Sequence, residues 1–198
     1  VMDSSPPRYR ISGFYANTRL AAAWFGLWWA MLAAAPAFGH DFWIEPTRFT
    51  PAPGDEVGLV LRVGQDLGGD TVPYIGDWFS DYRIVTPEGP VPVDAILGDD
   101  PAGVFVAGRP GLYLVAYRST RDFVELAPGK FNEYLRNEGL ERIIERRAEL
   151  GESDRPAREW YSRCAKSLLR VGADGPDAAW ALNLGYTLEL ITGANPYA

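Results

Sequence analysis

The chain has 198 residues, and its 26 acidic side chains outnumber its 19 basic ones, which gives a formal net charge of −7. Proteins bind nucleic acids through clustered Lys and Arg, whereas the basic residues here alternate with acids, as in ERIIERRAEL. The composition therefore excludes nucleic acid as a partner and is typical of a globular protein with one domain.

Residues 1–39 have the three parts of a secretory signal. Arg8, Arg10 and Arg19 form a basic start, and residues 20–35 form an apolar run of 16 residues without a charge. This run is shorter than the roughly 20 residues of a membrane-spanning helix. We expect a cleaved signal peptide and a periplasmic or secreted protein with a net charge of −9, or a membrane-anchored one if the signal is retained.

His40, the only histidine in the chain, follows two possible cut sites, one after Ala37 and one after Gly39. The first cut gives the terminus Phe-Gly-His, whose amine, backbone amides and imidazole can hold square-planar Cu(II) or Ni(II). The second cut gives His-Asp-Phe-Trp, whose amine and imidazole Nδ1 can chelate one ion with ligands from elsewhere in the fold. The candidate metal ligands are therefore His40 and Asp41. The alternative is that His40 only follows a processing site.

Residues 43–127 show short apolar alternations separated by Pro and Gly turns, a pattern typical of antiparallel strands. EVGLVLRVG and GLYLVAYRST are two of these stretches. Helical spacing follows, and Gly139 is predicted as a break and Gly151 as a C-terminal stop. Pro156 is predicted to begin a further helix, and residues 184–192 to form a last strand. The predicted fold is a mainly β, antiparallel, immunoglobulin-like sandwich over residues 40–198, with a helical insertion at about 130–170.

Cys164 is the only cysteine, so an internal disulfide is excluded. Its helical spacing with Trp160 and Leu168 predicts a buried core thiol, and a nucleophilic role would need a histidine partner. Arg163 and Lys166 beside it are interpreted as helix-surface charges.

Four aromatic residues lie close together in YIGDWFSDYR, and they allow two interpretations. They could form a recognition loop, or they could belong to a loop folded over the edge of the sandwich. The four residues are Tyr74, Trp78, Phe79 and Tyr82.

The motifs of common enzyme classes are missing from the sequence, including a nucleophile elbow, HExxH, a phosphate loop and a dinucleotide fingerprint. A copper oxygenase with an N-terminal histidine brace would need a second histidine. We therefore expect that the protein is not an enzyme.

Several stretches spread over residues 40–198 resemble the DUF4198 family of exported bacterial proteins, which are described as nickel-uptake-like and periplasmic. They include HDFWIEPTRFTPAPGDEV, RPGLYLVAYRS, FVELAPGKFNEYLRNEGLE, YSRCAKSLLRVG and LELITGANPYA. The resemblance implies a metal role for the His-Asp-aromatic start at residues 40–43, with nickel favoured over cobalt and copper, and suggests a membrane transporter component as partner. Because family members usually continue into a second β-rich module, it also implies that this chain lacks a C-terminal part.

Two functions are therefore expected from the sequence. The first is a periplasmic metal-binding or metal-uptake accessory protein that uses a processed terminus at His40. The alternative is a β-sandwich module that binds a protein partner or a polysaccharide without a metal.

Overall fold

The computed structural model describes residues 41–198, so the predicted signal peptide and His40 lie outside the described part. The described part is mainly β, as predicted, and all its strand pairs are antiparallel. The elements are β1 (Asp41–Pro46), β2 (Glu56–Gln65), β3 (Gly68–Val72), β4 (Phe79–Thr86), β5 (Gly89–Pro92), β6 (Val104–Val106), β7 (Gly111–Ser119), β8 (Asp122–Leu126), α1 (Pro128–Asn137), α2 (Glu141–Glu149), β9 (Ala157–Tyr161) and β10 (Cys164–Val171).

Two four-stranded sheets build the sandwich. One has the order β1-β2-β3, with β6 paired to the first residues of β2, and the other has the order β10-β7-β4-β5. β8 and β9 form a separate two-stranded ribbon. β1 is an edge strand of the first sheet and lies beside β10, an edge strand of the second.

The hydrophobic core lies between the two sheets. Val57, Leu59 and Leu61 recur at every second residue of β2 and are buried, because alternate side chains of a strand point to the same face. Tyr113 and Val115 of β7 enter the same core from the facing sheet. The alternating apolar residues of β2 and β7, which predicted these strands, thus form the core between the two sheets.

The helical hairpin α1–α2 packs on the ribbon around a second, smaller core. Phe131 and Leu135 of α1 are buried there against Ala157 of β9. Gly139 and Gly151 follow α1 and α2, and both have φ of +67°, a conformation that glycine adopts without strain. The predicted break and stop are confirmed.

The helix predicted from Pro156 onward is wrong, because residues 157–171 form the strands β9 and β10. β9 pairs with β8, and β10 pairs with β7 along eight residues. A spacing of four places residues on one face of a helix, but it also places them on one face of a strand. The helical part of the predicted insertion at 130–170 therefore ends with α2, at Glu149.

The strand predicted at 184–192 is also wrong. Residues 173–198, here called the C-terminal segment, contain a short 3-10 turn at Ala178–Ala181 and are otherwise irregular. The segment covers the outer faces of β7 and β10. Leu114, on the face of β7 opposite to the core residues Tyr113 and Val115, is buried, and Nζ of Lys166 on β10 donates to the carbonyls of Leu182 and Leu190 at 2.8 and 3.2 Å. A segment on a sheet face cannot join the ladder, which runs between strand edges.

Among residues 41–198, the helices are too short or too polar to cross a membrane.

Candidate functional site

The predicted metal-binding terminus leads directly into β1. Asp41 is the first residue of this strand; it is exposed and lies opposite Gly64 of β2. Its covalent neighbour His40 lies outside the described residues. All six residues of β1 pair with β2, so the strand is held to the sheet from Asp41 onward.

β1 carries two acidic residues, Asp41 of the motif and Glu45 beyond it. Asp41 and Glu45 are four residues apart, which corresponds to about 13 Å in a strand. Glu45 forms an ion pair with Arg62 of β2. Asp41 and Glu45 are therefore too far apart to bind the same metal ion, and only Asp41 stays a candidate ligand.

The two aromatic residues of the motif pack on the domain. The ring of Phe42 contacts Tyr117 of β7 with centroids 4.8 Å apart. Trp43 is half-buried and lines a cavity of about 320 Å³ between β1, β10 and the C-terminal segment. These contacts anchor the start of β1 to the second sheet.

The described part of the chain holds no cluster of three or more His, Cys, Asp or Glu side chains that could bind a metal ion. His40, the neighbour of Asp41 in the sequence, lies outside these residues.

Cys164 is half-buried rather than fully buried, contrary to the prediction from helical spacing. It begins β10 and lines the same cavity as Trp43. Trp160, expected on the same buried stripe, is 71% exposed on β9. The thiol belongs to the outer face of β10, beneath the C-terminal segment.

Lys166 is not a surface charge, because its ammonium group lies under the C-terminal segment. Its Nζ is 2.7 Å from Oε1 of Glu189 and also donates to the carbonyl of Leu182 at 2.8 Å. The other hydrogen bonds of the Glu189 carboxylate come from the backbone N–H groups of Leu184, Gly185 and Tyr186, at 2.7 to 3.2 Å.

Burial of Glu189 acts to raise the pKa of its carboxyl. Hydrogen bonds from Lys166 Nζ and from the N–H groups of Leu184 and Tyr186 outweigh burial and lower this pKa to about 2. Glu189 is consequently ionised at neutral pH and holds the turn at residues 184–186. A lysine among the apolar residues of CAKSLLRV was the signal for a buried charge. Its partner could not be found from the sequence, because Glu189 lies 23 residues away.

The aromatic cluster of YIGDWFSDYR is mostly folded over the sandwich and does not form a recognition loop. Tyr74, Phe79 and Tyr82 contact one another, with ring centroids 5.3 to 6.4 Å apart. Burial raises the pKa of Tyr82, whose hydroxyl has no hydrogen-bond partner in the described structure. Trp78 is the exception, at 53% exposure.

The described residues define an antiparallel β-sandwich with a helical hairpin, in which Asp41, Phe42 and Trp43 begin an edge strand. The chain belongs to the family described as Domain of unknown function (DUF4198), which matches residues 37–198. The family assignment made from the sequence is thereby confirmed. Among curated proteins and solved structures, none matches the chain significantly.

Proposed function

We propose that the chain is an exported, periplasmic protein that captures one divalent transition-metal ion, with nickel favoured over copper and cobalt. The ion is bound by the processed N-terminus through the amine and imidazole of His40, with the carboxylate of Asp41 as a further ligand. A membrane transporter component is the proposed recipient of the metal.

The observation that carries the proposal is the exposed position of Asp41 at the first residue of a paired edge strand. A terminus created by cleavage after Gly39 would be one residue long before this strand begins. Its amine, imidazole and carboxylate would then be tethered to a rigid sheet, and ligands held in place in advance lose less entropy when they bind.

The ligand chemistry supports nickel and copper over harder ions. Imidazole and amine nitrogens suit Ni(II), Cu(II) and Co(II), whereas Mg²⁺ and Ca²⁺ prefer sites made of oxygen ligands. The negative net charge of the chain also attracts cations in general.

The experiment is calorimetric titration of secreted protein with Ni(II) and Cu(II), after intact mass has identified the cut site. His40→Ala should abolish binding, and one residue added before the mature terminus should weaken it while leaving the imidazole intact. Asp41→Asn should weaken binding if the terminus is His-Asp, whereas Asp154→Asn, at an exposed site in the turn after α2, serves as the control.

The two cut forms differ when the domain is unfolded. A Phe-Gly-His terminus carries its own ligands and should bind in urea, whereas a His-Asp terminus should require the folded sheet. Equal binding by the wild type and His40→Ala, or binding by neither, would remove the metal role.

A second candidate, a module that binds a protein partner or a polysaccharide, is favoured by one surface feature. Phe123 and Trp160 form an aromatic pair on the ribbon, with centroids 5.2 Å apart and exposures of 43% and 71%. Exposed apolar patches mark interaction sites. Trp160→Ala should abolish such binding and leave metal affinity unchanged, which separates the two functions.

A further inference from the structure

A second, larger cavity of about 420 Å³ opens at the end of the sandwich where β7 leads into β8. Its volume lies in the range of sites for small organic ligands. One wall is apolar and mostly aromatic, formed by Phe42, Val63, Val72, Trp78 and Tyr117. The rest of the lining, here called the polar wall, comes from residues 119–122 and Arg163.

The hydroxyl groups of the polar wall already have partners in the protein. Ser119 Oγ donates to the carbonyl of Thr120 at 2.7 Å and accepts from the N–H of Arg163 at 2.7 Å. Thr120 Oγ1 donates to the carbonyl of Asp77 at 3.3 Å. These bonds fix the wall, and they leave charged side chains as its main means of recognising a ligand.

The carboxylate of Asp122 is also engaged. It accepts from the N–H of Phe123 at 2.7 Å and from the hydroxyl of Tyr161 at 3.0 Å. These two hydrogen bonds lower the pKa of Asp122, with a smaller contribution from the charge of Arg163. Asp122 is therefore anionic at neutral pH and contributes one negative charge to the cavity.

Arg121 and Arg163 contribute two positive charges. Arg163 lies over the ring of Tyr161, with its guanidinium carbon 4.9 Å from the ring centroid. Within residues 41–198, the ion pairs include neither Arg121 nor Arg163. Each guanidinium can donate up to five hydrogen bonds and accepts none. The polar wall thus has surplus donors and a net charge of +1.

We propose that this cavity binds a small organic anion, namely a carboxylate attached to a flat apolar body. Arg163 and Arg121 bind the carboxylate, a planar group that matches the fork of a guanidinium. The apolar body lies against Phe42, Trp78 and Tyr117, whose rings pack favourably on another flat ring. The lining of this cavity includes none of the proposed metal ligands, so the anion site does not rest on the proposed metal role.

The test is calorimetric titration of the mature protein in metal-free buffer of low ionic strength, with three probes. Benzoate has both parts of the proposed ligand, benzamide has the same body without the charge, and acetate has the charge without the body. Benzoate should bind at least about tenfold more tightly than either of the other two. Losing the hydrogen bonds to the carboxylate, or losing the buried ring, should each weaken the affinity by about this factor.

Variants of the two arginines test the anion contact. Arg163→Gln and Arg121→Gln should each weaken benzoate binding by about tenfold to a hundredfold, and Arg163→Lys should retain part of it. Arg142→Gln, at an exposed site on α2, is the matched control and should bind as the wild type does. Circular dichroism of each variant confirms that it is folded.

Four results would overturn the proposal. Equal affinity for benzoate and benzamide would show that the charge is not recognised, and equal affinity for benzoate and acetate would show that the aromatic wall is not used. The absence of benzoate binding at millimolar concentration would reject the site. Unchanged binding by both folded glutamine variants would reject the arginines as the anion contact.

Discussion

Lys166 Nζ and Glu189 Oε1 lie 2.7 Å apart, and their side chains are only 13% and 6% exposed. The pair joins β10 of the sandwich to the irregular C-terminal segment. A buried charge without its partner is energetically costly, so Lys166 and Glu189 are stable in these positions only as a pair. The ion pair therefore fixes the C-terminal segment to the sheet face.

Glu189→Gln should lower the free energy of unfolding by about 1.5–3 kcal/mol at pH 7, the range for hydrogen bonds to charged groups. The pKa of Glu189 is about 2 in the folded protein against 4.5 for a free carboxyl. Since the folded-state pKa is lowered, its contribution to stability is complete above pH 4.5 and is lost as the pH falls toward 2. Urea unfolding at pH 7, 4 and 2.5 measures both effects.

The control for Glu189→Gln is Glu149→Gln. Glu149 pairs with Arg146 at 2.8 Å, but both side chains are 64% exposed, so its loss should change stability by less than about 0.5 kcal/mol. Equal effects of the two variants, or a pH-independent effect of Glu189→Gln, would contradict the role assigned to the buried pair.

Cys164 should report on the attachment of the C-terminal segment. The thiol lines the cavity beneath this segment, so a thiol reagent should label it slowly in the native protein. Glu189→Gln should raise the labelling rate at least about threefold, because local opening controls access, while Glu149→Gln should not. The same rate in all three proteins would mean that the segment does not protect the thiol.

Leu135→Ala should lower the free energy of unfolding by about 2–5 kcal/mol, the usual effect of removing a large buried side chain. Leu135 is 2% exposed in the core between α1 and the ribbon. Leu150→Ala, at a site 54% exposed, should change stability by less than about 0.5 kcal/mol. Chemical unfolding followed by circular dichroism compares the two, and a small effect at Leu135 would show that the hairpin core adds little.

Acid should release a metal ion from the N-terminus. Metal binding requires deprotonated ligands, and both an α-amine and an imidazole gain protons as the pH falls below neutrality. Affinity for Ni(II) should therefore fall at least about tenfold from pH 7.5 to pH 5.5. Calorimetric titration at both pH values measures it, and a pH-independent affinity would point to ligands other than the amine and His40.

The sequence alone determined the class of fold and several local boundaries. Alternation along β2 and β7 predicted strands because a sheet buries every second side chain. Gly139 and Gly151 marked the ends of two helices, since φ of +67° at both positions suits glycine. Strand alternation and helix ends depend on residues close together in the chain, so they can be predicted from the sequence.

Only the tertiary structure decided the rest. The spacing of four between Trp160, Cys164 and Leu168 fits one face of a helix, but a spacing of four also fits one face of a strand. Pairing with β8 and β7 placed Trp160 on β9 and the other two residues on β10. The prediction of Lys166 and Arg163 as helix-surface charges was wrong. Lys166 pairs with Glu189, Arg163 lines the larger cavity, and both sites combine distant parts of the chain. Burial and charge pairing between residues far apart in the chain depend on the packed fold, so they could not be predicted from local spacing.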